Sequence, residues 1–132
     1  MILADSSAWV EYDRATGSAV DRRLTRLIET RGPLAVTEPV VMEVTAGAVS
    51  DGAASRLRDL LLSFRLLPFD PVVDFDAAAR IYRQCRRAGI TPRGMVGCMI
   101  VSVAWRHRAA LLASDVDLHR IAGVLGAELD EA

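Results

Sequence analysis

The twelve residues MILADSSAWVEY (1–12) show the pattern that decides the fold. Residues 1–4 are a short apolar run that ends at Asp5, which is typical of a buried strand that stops at a charged residue. Ser6 or Ser7 is then expected to cap the helix that follows. A strand that leads at once into a helix is the repeating unit of proteins with a parallel sheet.

The same alternation of short apolar strands and helices continues along the chain. It predicts a three-layer α/β domain, with a central parallel β-sheet flanked by helices on both faces. The length of 132 residues favours one domain, 1–132. Expected strands are 1–4, 34–37, 66–69 and 109–113, with a last edge strand at 127–129. Expected helices are 18–30, one opened by Pro39, 52–65, one capped by Asp74 and ended by Gly89, one from Thr91-Pro92 to about 107, and a short one after Asp117.

The charged residues exclude some chemistry and are unevenly distributed. All 16 basic residues are Arg, so a Lys Schiff base and a phosphate-binding loop with its Lys are excluded. Residues 77–114 contain seven Arg and no acid, whereas the rest of the chain has nine Arg and 17 acids. The net charge of −1 therefore hides a basic segment and an acidic remainder.

Cysteine use and hydropathy place the chain among cytoplasmic proteins without a membrane span. Cys85 and Cys98 lack the spacing of a disulfide framework or a metal site, and we expect both in the core. The first residues lack the basic leader of a signal peptide, and no apolar run approaches the roughly 20 residues of a membrane helix. The aromatic residues expected in the core are Trp9, Tyr12, Phe64 and Tyr82.

Four acids are candidates for a shared site. Asp5 follows the first strand, and Asp115 and Asp117 follow a late one. In a parallel sheet such strand ends meet at one edge, where ligands bind. Glu43 lies one turn into a helix, among apolar neighbours, and is expected to be partly buried and to need a cation. The alternative for each acid is a helix cap or a solvated loop charge, especially for Asp117.

Clustered carboxylates suit Mg²⁺ or Mn²⁺, which hold phosphate oxygens and activate water. The Arg-rich segment offers contacts for an RNA backbone, because the guanidinium fork matches a phosphate. The alternative for these Arg residues is a solvated helix face.

Four segments, taken together, resemble one family. They are MILADSSAW (1–9), Val41-Met42-Glu43, Gly89-Ile90-Thr91-Pro92-Arg93 leading into Cys98, and Ser114-Asp115-Val116-Asp117. In order and spacing they resemble the PIN-domain ribonuclease toxins of the VapC type, over essentially the whole chain. The resemblance implies a PIN-like α/β fold and Mg²⁺- or Mn²⁺-dependent endoribonuclease cleavage of structured RNA, commonly tRNA or rRNA. It also implies a VapB-type antitoxin as partner and a homodimer.

By position, the resemblance assigns metal binding and catalysis to Asp5, Glu43 and Asp115, with Asp117 as a further metal ligand. Ser7 would line the site, and Arg86, Arg87 and Arg93 are candidate RNA contacts.

One position departs from the family pattern, which has an Asp immediately before the Cys. Here that position is Gly97, and no acid between residues 77 and 114 can replace it. A Gly early in a helix costs about 1 kcal/mol relative to Ala, so helix formation does not explain it. The sequence therefore predicts an impaired ribonuclease. The alternatives left open are a catalytically inactive PIN fold that binds antitoxin or RNA and, more distantly, a phosphatase with Asp5 as nucleophile.

Overall fold

A four-stranded parallel sheet forms the centre of the computed structural model, which describes residues 1–131. Its strands are β1 (Ile2–Ala4), β2 (Leu34–Val36), β3 (Arg65–Leu66) and β4 (Ala110–Leu112), in the order β3-β2-β1-β4. All three pairings are parallel, with Ile2 opposite both Leu34 and Ala110. β1 and β4 are buried along their full length, as their apolar sequences predict.

Seven helices flank this sheet within the described residues, and the α/β architecture predicted from the sequence is confirmed. They are α1 (Ser6–Asp13), α2 (Ala19–Glu29), α3 (Glu38–Ala46), α4 (Asp51–Leu62), α5 (Pro71–Arg87), α6 (Met95–His107) and α7 (Val116–Leu125). The segment expected as an edge strand at 127–129 makes only one bridge, between Leu111 and Leu129.

Three predicted helix starts are wrong, and in each case a different residue occupies the N-cap position. Asp5, not Ser6 or Ser7, caps α1. Asp70 caps α5 through Val72 N and Val73 N, four residues before the expected Asp74. α6 begins after Gly94 instead of at Thr91-Pro92. Asp5, Asp70 and Gly94 each have extended backbone geometry directly before the first helical turn.

Of the residues expected in the core, Trp9, Cys85 and Cys98 are buried, whereas Tyr12, Phe64 and Tyr82 are partly buried and pack against the core. Trp9 is 1% exposed, and its ring packs against Tyr12 and Phe64 with centroid distances of 6.0 and 5.7 Å. Cys85 and Cys98 are free thiols and fully buried. Burial raises the pKa of the Cys98 thiol to about 11, so it is protonated and inert at neutral pH.

Among residues 1–131, no helix is both long and apolar enough to cross a membrane.

Candidate metal-binding cleft

The sheet order creates a crevice at the carboxyl ends of β1 and β4. β1 lies between β2 and β4, so the chain leaves β1 on one side and returns on the other. Such a switch point is where open parallel sheets bind ligands. Asp5 follows β1 there, and its backbone N donates to Leu112 O at 2.8 Å.

All four candidate acids line one open cleft of about 420 Å³ at this position. The four acids therefore lie around one cleft, as predicted. They do not form a tight cluster, because no three acidic, His or Cys side chains within residues 1–131 are close enough together to share a metal ion. The cleft is lined by Asp5, Ser6, Ser7, Glu43, Arg93, Gly94, Val96, Gly97, Asp115, Asp117 and Leu118.

Asp5 is the most buried of these acids, with 4% of its surface exposed. Its Oδ2 accepts hydrogen bonds from Ser7 N at 3.2 Å and Ser7 Oγ at 2.8 Å. Burial raises the pKa of the Asp5 carboxyl, the bonds from Ser7 and the Ser6 backbone oppose that rise, and the charge of Glu43 adds to it. No Arg pairs with it in the part of the chain that the structure describes.

Ser7 joins the two strand ends that form the cleft. While its hydroxyl donates to Asp5, its Oγ accepts from Ser114 N at 3.0 Å and Asp115 N at 3.2 Å. One hydroxyl thus orients an oxygen of Asp5 and fixes the loop that carries Asp115. The sequence indicated Ser7 only as a residue that lines the site, and its bond to the loop was not foreseen.

Glu43 is exposed, which corrects the expectation that it is partly buried. Val40 and Val44 occupy the core-facing positions of α3, so Glu43 faces the cleft although its sequence neighbours are apolar. Ser6 Oγ donates to Glu43 Oε1 at 2.6 Å, across 37 positions of sequence. Sequence reasoning missed this contact, since a Ser before a helix is ordinarily read as a cap.

Asp115 and Asp117 have different local partners. Asp115 caps α7 by accepting from Asp117 N at 3.1 Å, so the cap considered as an alternative role for Asp117 belongs to Asp115. Arg93 contacts both acids: its Nη2 lies 3.4 Å from Asp115 Oδ1, and its backbone N donates to Asp117 Oδ2 at 3.1 Å. Arg93 therefore attaches the loop before α6 to the acidic edge of the cleft.

Comparison with known proteins agrees with this geometry. Residues 2–124 match the PIN domain family. Ribonuclease VapC11 of Mycobacterium tuberculosis (strain ATCC 25618 / H37Rv) is 43% identical over 125 residues, which cover 94% of this chain and 93% of that protein. VapC ribonuclease Mb1587 of Mycobacterium bovis is equally similar. The chain belongs to the PIN-domain family of VapC ribonucleases.

Solved structures show the same fold at low sequence identity. The VapBC2 structure from Rickettsia felis, bound to a promoter DNA fragment, has a TM-score of 0.75 and 16% identity, with 98% of both chains covered. Mycobacterium tuberculosis VapC20, described as a sarcin-ricin loop cleaving toxin, has a TM-score of 0.68 and 19% identity over 90% of this chain and 93% of that one. The PIN-like fold predicted from the sequence is confirmed.

Gly97 lies in the first turn of α6 and lines the cleft of this PIN domain, as the sequence predicts. A Cβ added there would lie 3.2 Å from Ile121 Cδ1 and 3.7 Å from Leu118 Cδ1. Both are the ends of flexible side chains, and the closer one must move by a few tenths of an ångström. The backbone can therefore accept a carboxylate at position 97 once Ile121 adjusts.

The donors of this VapC-type cleft fit a divalent cation. Asp5 is a buried carboxylate with no Arg partner in the described chain, and Glu43 lies close enough to affect its pKa. Mg²⁺ is commonly held by one or two carboxylates, with water and phosphate oxygens as the other ligands, so the spread of the acids is compatible with it.

Two of the three candidate RNA contacts lie outside the cleft. Arg93 lines it, whereas Arg86 and Arg87 line a separate concavity on the last turns of α5, together with Arg83. Local sequence does not separate these Arg residues, because all belong to the same acid-free segment.

Proposed function

We propose that this PIN domain is the toxin of a type II toxin–antitoxin system and acts as a metal-dependent endoribonuclease on structured RNA, either tRNA or rRNA. Its activity is lowered because Gly97 replaces a metal-binding Asp. The observation that carries the proposal is the convergence of Asp5, Glu43 and Asp115 on one cleft at the switch point of the sheet. Relatives 43% identical to this chain are named ribonucleases.

The cation in this proposal is Mg²⁺ or Mn²⁺, held by Asp5, Glu43 and Asp115, with Asp117 as a further ligand. When bound, such an ion neutralises phosphate charge and lowers the pKa of bound water. Ser7 keeps the Asp5 carboxylate in a fixed orientation through its 2.8 Å bond. Ser6 does the same for Glu43 at 2.6 Å. No His lines the cleft among the described residues, so the proposed site has no His general base.

Arg93 is proposed to bind the RNA phosphate that enters the cleft. Its side chain is 74% exposed, and its 3.4 Å contact with Asp115 is long enough to be given up at little cost. A guanidinium at the edge of an acidic cleft offsets the repulsion between the carboxylates and the RNA backbone. Metal binding by Asp115 would free Arg93 for this contact.

The proposal includes partners and cellular context. A VapB-type antitoxin would inhibit the toxin, and two copies of the chain would form a homodimer. The protein would act in the cytoplasm, where its RNA substrates are. The assignment of the whole chain, 1–132, to a single PIN domain stays a prediction, since the family match ends at residue 124.

A catalytically inactive PIN-fold module that binds antitoxin or RNA is the second candidate function. It is favoured by one observation, the lack within residues 1–131 of three close metal-ligating side chains. The two functions differ in what happens when the missing carboxylate is restored.

Restoring Asp at position 97 is therefore the deciding experiment. We expect Gly97→Asp to cleave total tRNA in Mn²⁺ at least about tenfold faster than the parent, because a stronger ligand set stabilises the charged transition state. The double variant Gly97→Asp/Ile121→Val should be faster still, since Val lacks the Cδ1 atom that lies 3.2 Å from the new Cβ. The measurement is the initial rate of cleavage on a denaturing gel.

Gly97→Asn is the matched control, because it has nearly the shape of Asp without the charge. It should remain as slow as the parent. Equal, measurable rates for the parent, Gly97→Asp and the double variant would overturn the assignment of position 97. No cleavage by any of the three would favour the inactive module.

A further inference from the structure

Three Arg residues on the last turns of α5 form a surface of their own. Arg83, Arg86 and Arg87 together line an open concavity of about 370 Å³, and no acidic side chain of residues 1–131 lines it. We call this set the α5 arginine cluster. The cleft has a different lining, so the two surfaces share no residue.

The members of the α5 arginine cluster are exposed and unpaired. The ion pairs found within residues 1–131 involve Arg23, Arg93 and Arg106. Basic side chains near a helix C-terminus are favoured by the helix dipole. That effect explains why an Arg is tolerated here, but not why three of them surround one concavity with no acid to neutralise them.

The cluster lies at the same end of α5 as the cleft. Cys85, in the same turn, is fully buried in the core, so the Arg side chains lie on the opposite, exposed face of the helix. After α5 the chain turns back at once, since Ile90 N donates to Cys85 O at 2.9 Å. It then reaches Arg93, whose backbone N binds Asp117. One short loop therefore leads from the cluster to the cleft.

The cleft itself is a poor binding site for RNA without help. Its four carboxylates repel a phosphate backbone, and Gly97 removes a ligand for the cation that would offset them. Most of the affinity of a protein for nucleic acid comes from basic residues that contact phosphates. An acidic cleft that must hold RNA therefore needs a basic surface beside it.

We propose that the α5 arginine cluster is an anchoring site for the phosphate backbone of the substrate RNA. It binds RNA that continues out of the cleft and takes no part in the chemistry. The inference rests on the proposed function, and it adds Arg83 to the contacts expected from the sequence. The planar guanidinium forks contact phosphate oxygens in two-point fashion, which suits a backbone anchor without base specificity.

The test measures binding without turnover. Labelled tRNA is titrated with the full chain in EDTA by fluorescence anisotropy, over about 50–200 mM salt. We expect the triple variant Arg83→Gln/Arg86→Gln/Arg87→Gln to bind at least about tenfold more weakly at low salt. The slope of log affinity against log salt should fall by about 2–3, since each phosphate contact contributes about 0.7–0.9.

The matched control is Arg56→Gln/Arg58→Gln/Arg65→Gln, which removes the same charge from exposed positions on α4 and β3. It should keep the slope of the parent and most of its affinity. An equal loss in both triple variants would mean that only net charge matters, and an unchanged α5 variant would mean that the cluster does not bind RNA. Either result, or a parent that does not bind tRNA, overturns the proposal.

The proposed function is tested separately in the Gly97→Asp background. There the α5 triple variant should raise KM for tRNA and leave kcat unchanged. If Gly97→Asp fails to cleave, the ribonuclease assignment fails, but the anisotropy measurement still decides whether the α5 arginine cluster anchors RNA.

Discussion

Ser7 is the single residue on which the geometry of the cleft depends most. Its hydroxyl makes one hydrogen bond to Asp5 and accepts two backbone N–H groups of the loop after β4. We expect Ser7→Ala to lower the free energy of unfolding by about 1–3 kcal/mol, because the partly buried Asp115 N–H loses its acceptor and the buried Asp5 carboxylate keeps only the backbone bond from residue 7. Urea denaturation monitored by circular dichroism measures the change.

Ser6→Ala is the control for this prediction, since it removes one exposed hydrogen bond, the one to Glu43. Its cost should stay below about 1 kcal/mol. If Ser6→Ala were as destabilising as Ser7→Ala, the link between β1 and the loop of Asp115 would not be a main support of the cleft.

At the scale of elements, α5 and α6 are held together by a buried ion pair. Arg106 on α6 donates from Nη2 to Asp74 Oδ2 at 2.6 Å and to Pro68 O at 2.7 Å, and Ser102 Oγ donates to Asp74 Oδ1 at 2.7 Å. Asp74 is fully buried, whereas the Arg106 side chain is 32% exposed. We expect Arg106→Gln to cost about 3 kcal/mol at neutral pH, since removing one partner leaves a buried charge uncompensated.

The pH dependence of the Arg106 effect follows from the pKa of Asp74. Burial by itself raises this pKa, but the bonds from Arg106, the Asp70 backbone and Ser102 outweigh burial and hold it below its usual value. The stabilisation is thus complete above the unfolded-state pKa of about 3.9 and is lost as the pH falls through the lower folded-state value.

The difference in the free energy of unfolding between the parent and Arg106→Gln should therefore become smaller below about pH 4. Urea midpoints measured across pH would show this change. Arg23→Gln is the control, because Arg23 is 33% exposed and pairs with Asp130 at 2.8 Å outside this network. Its cost should stay within about 1 kcal/mol. A pH-independent gap for Arg106→Gln would rule out Asp74 as the group responsible.

The Asp74–Arg106 pair shows why the sequence predicts the presence of strands and helices more accurately than the residues at which they begin and end. Apolar runs predicted β1, β2 and β4, because a strand buried on both faces must be apolar. Asp74 was expected as a cap because an Asp before a helix usually is one, yet its partner Arg106 lies 32 positions away and is invisible to local patterns. Glu43 was misjudged for a related reason, since apolar sequence neighbours do not determine which face of a helix a side chain occupies.

At the scale of the whole molecule, the acids of the cleft and the α5 arginine cluster occupy different surfaces. Asp5 and Asp117 are 4% and 8% exposed, so the folded chain keeps two carboxylates largely out of water in one cleft. A pair of buried acids in one place is costly without a cation. The fold tolerates this cost at the switch point of the sheet, and the sequence predicted the convergence because strand ends of a parallel sheet meet there.

The buried carboxylates of the cleft predict that divalent cations stabilise the folded protein, and this can be measured without an activity assay. An ion that binds only the folded state adds RT ln(1 + [L]/Kd), about 2.7 kcal/mol at a concentration of 100 Kd, so Mn²⁺ should raise the Tm of the parent. Asp5→Asn should lose this response. In EDTA the same variant should be at least as stable as the parent, because Asn is an equally good cap for α1 and removes a buried charge.

Asp59→Asn, which changes an exposed acid on α4, is the control and should behave like the parent in both conditions. The Tm of Asp5→Asn measured with Mn²⁺ and with EDTA thus separates lost cation binding from lost structure. A variant that had lost structure would also have a lower Tm than the parent in EDTA. Equal Mn²⁺ shifts in the parent and Asp5→Asn would place the bound ion away from the cleft.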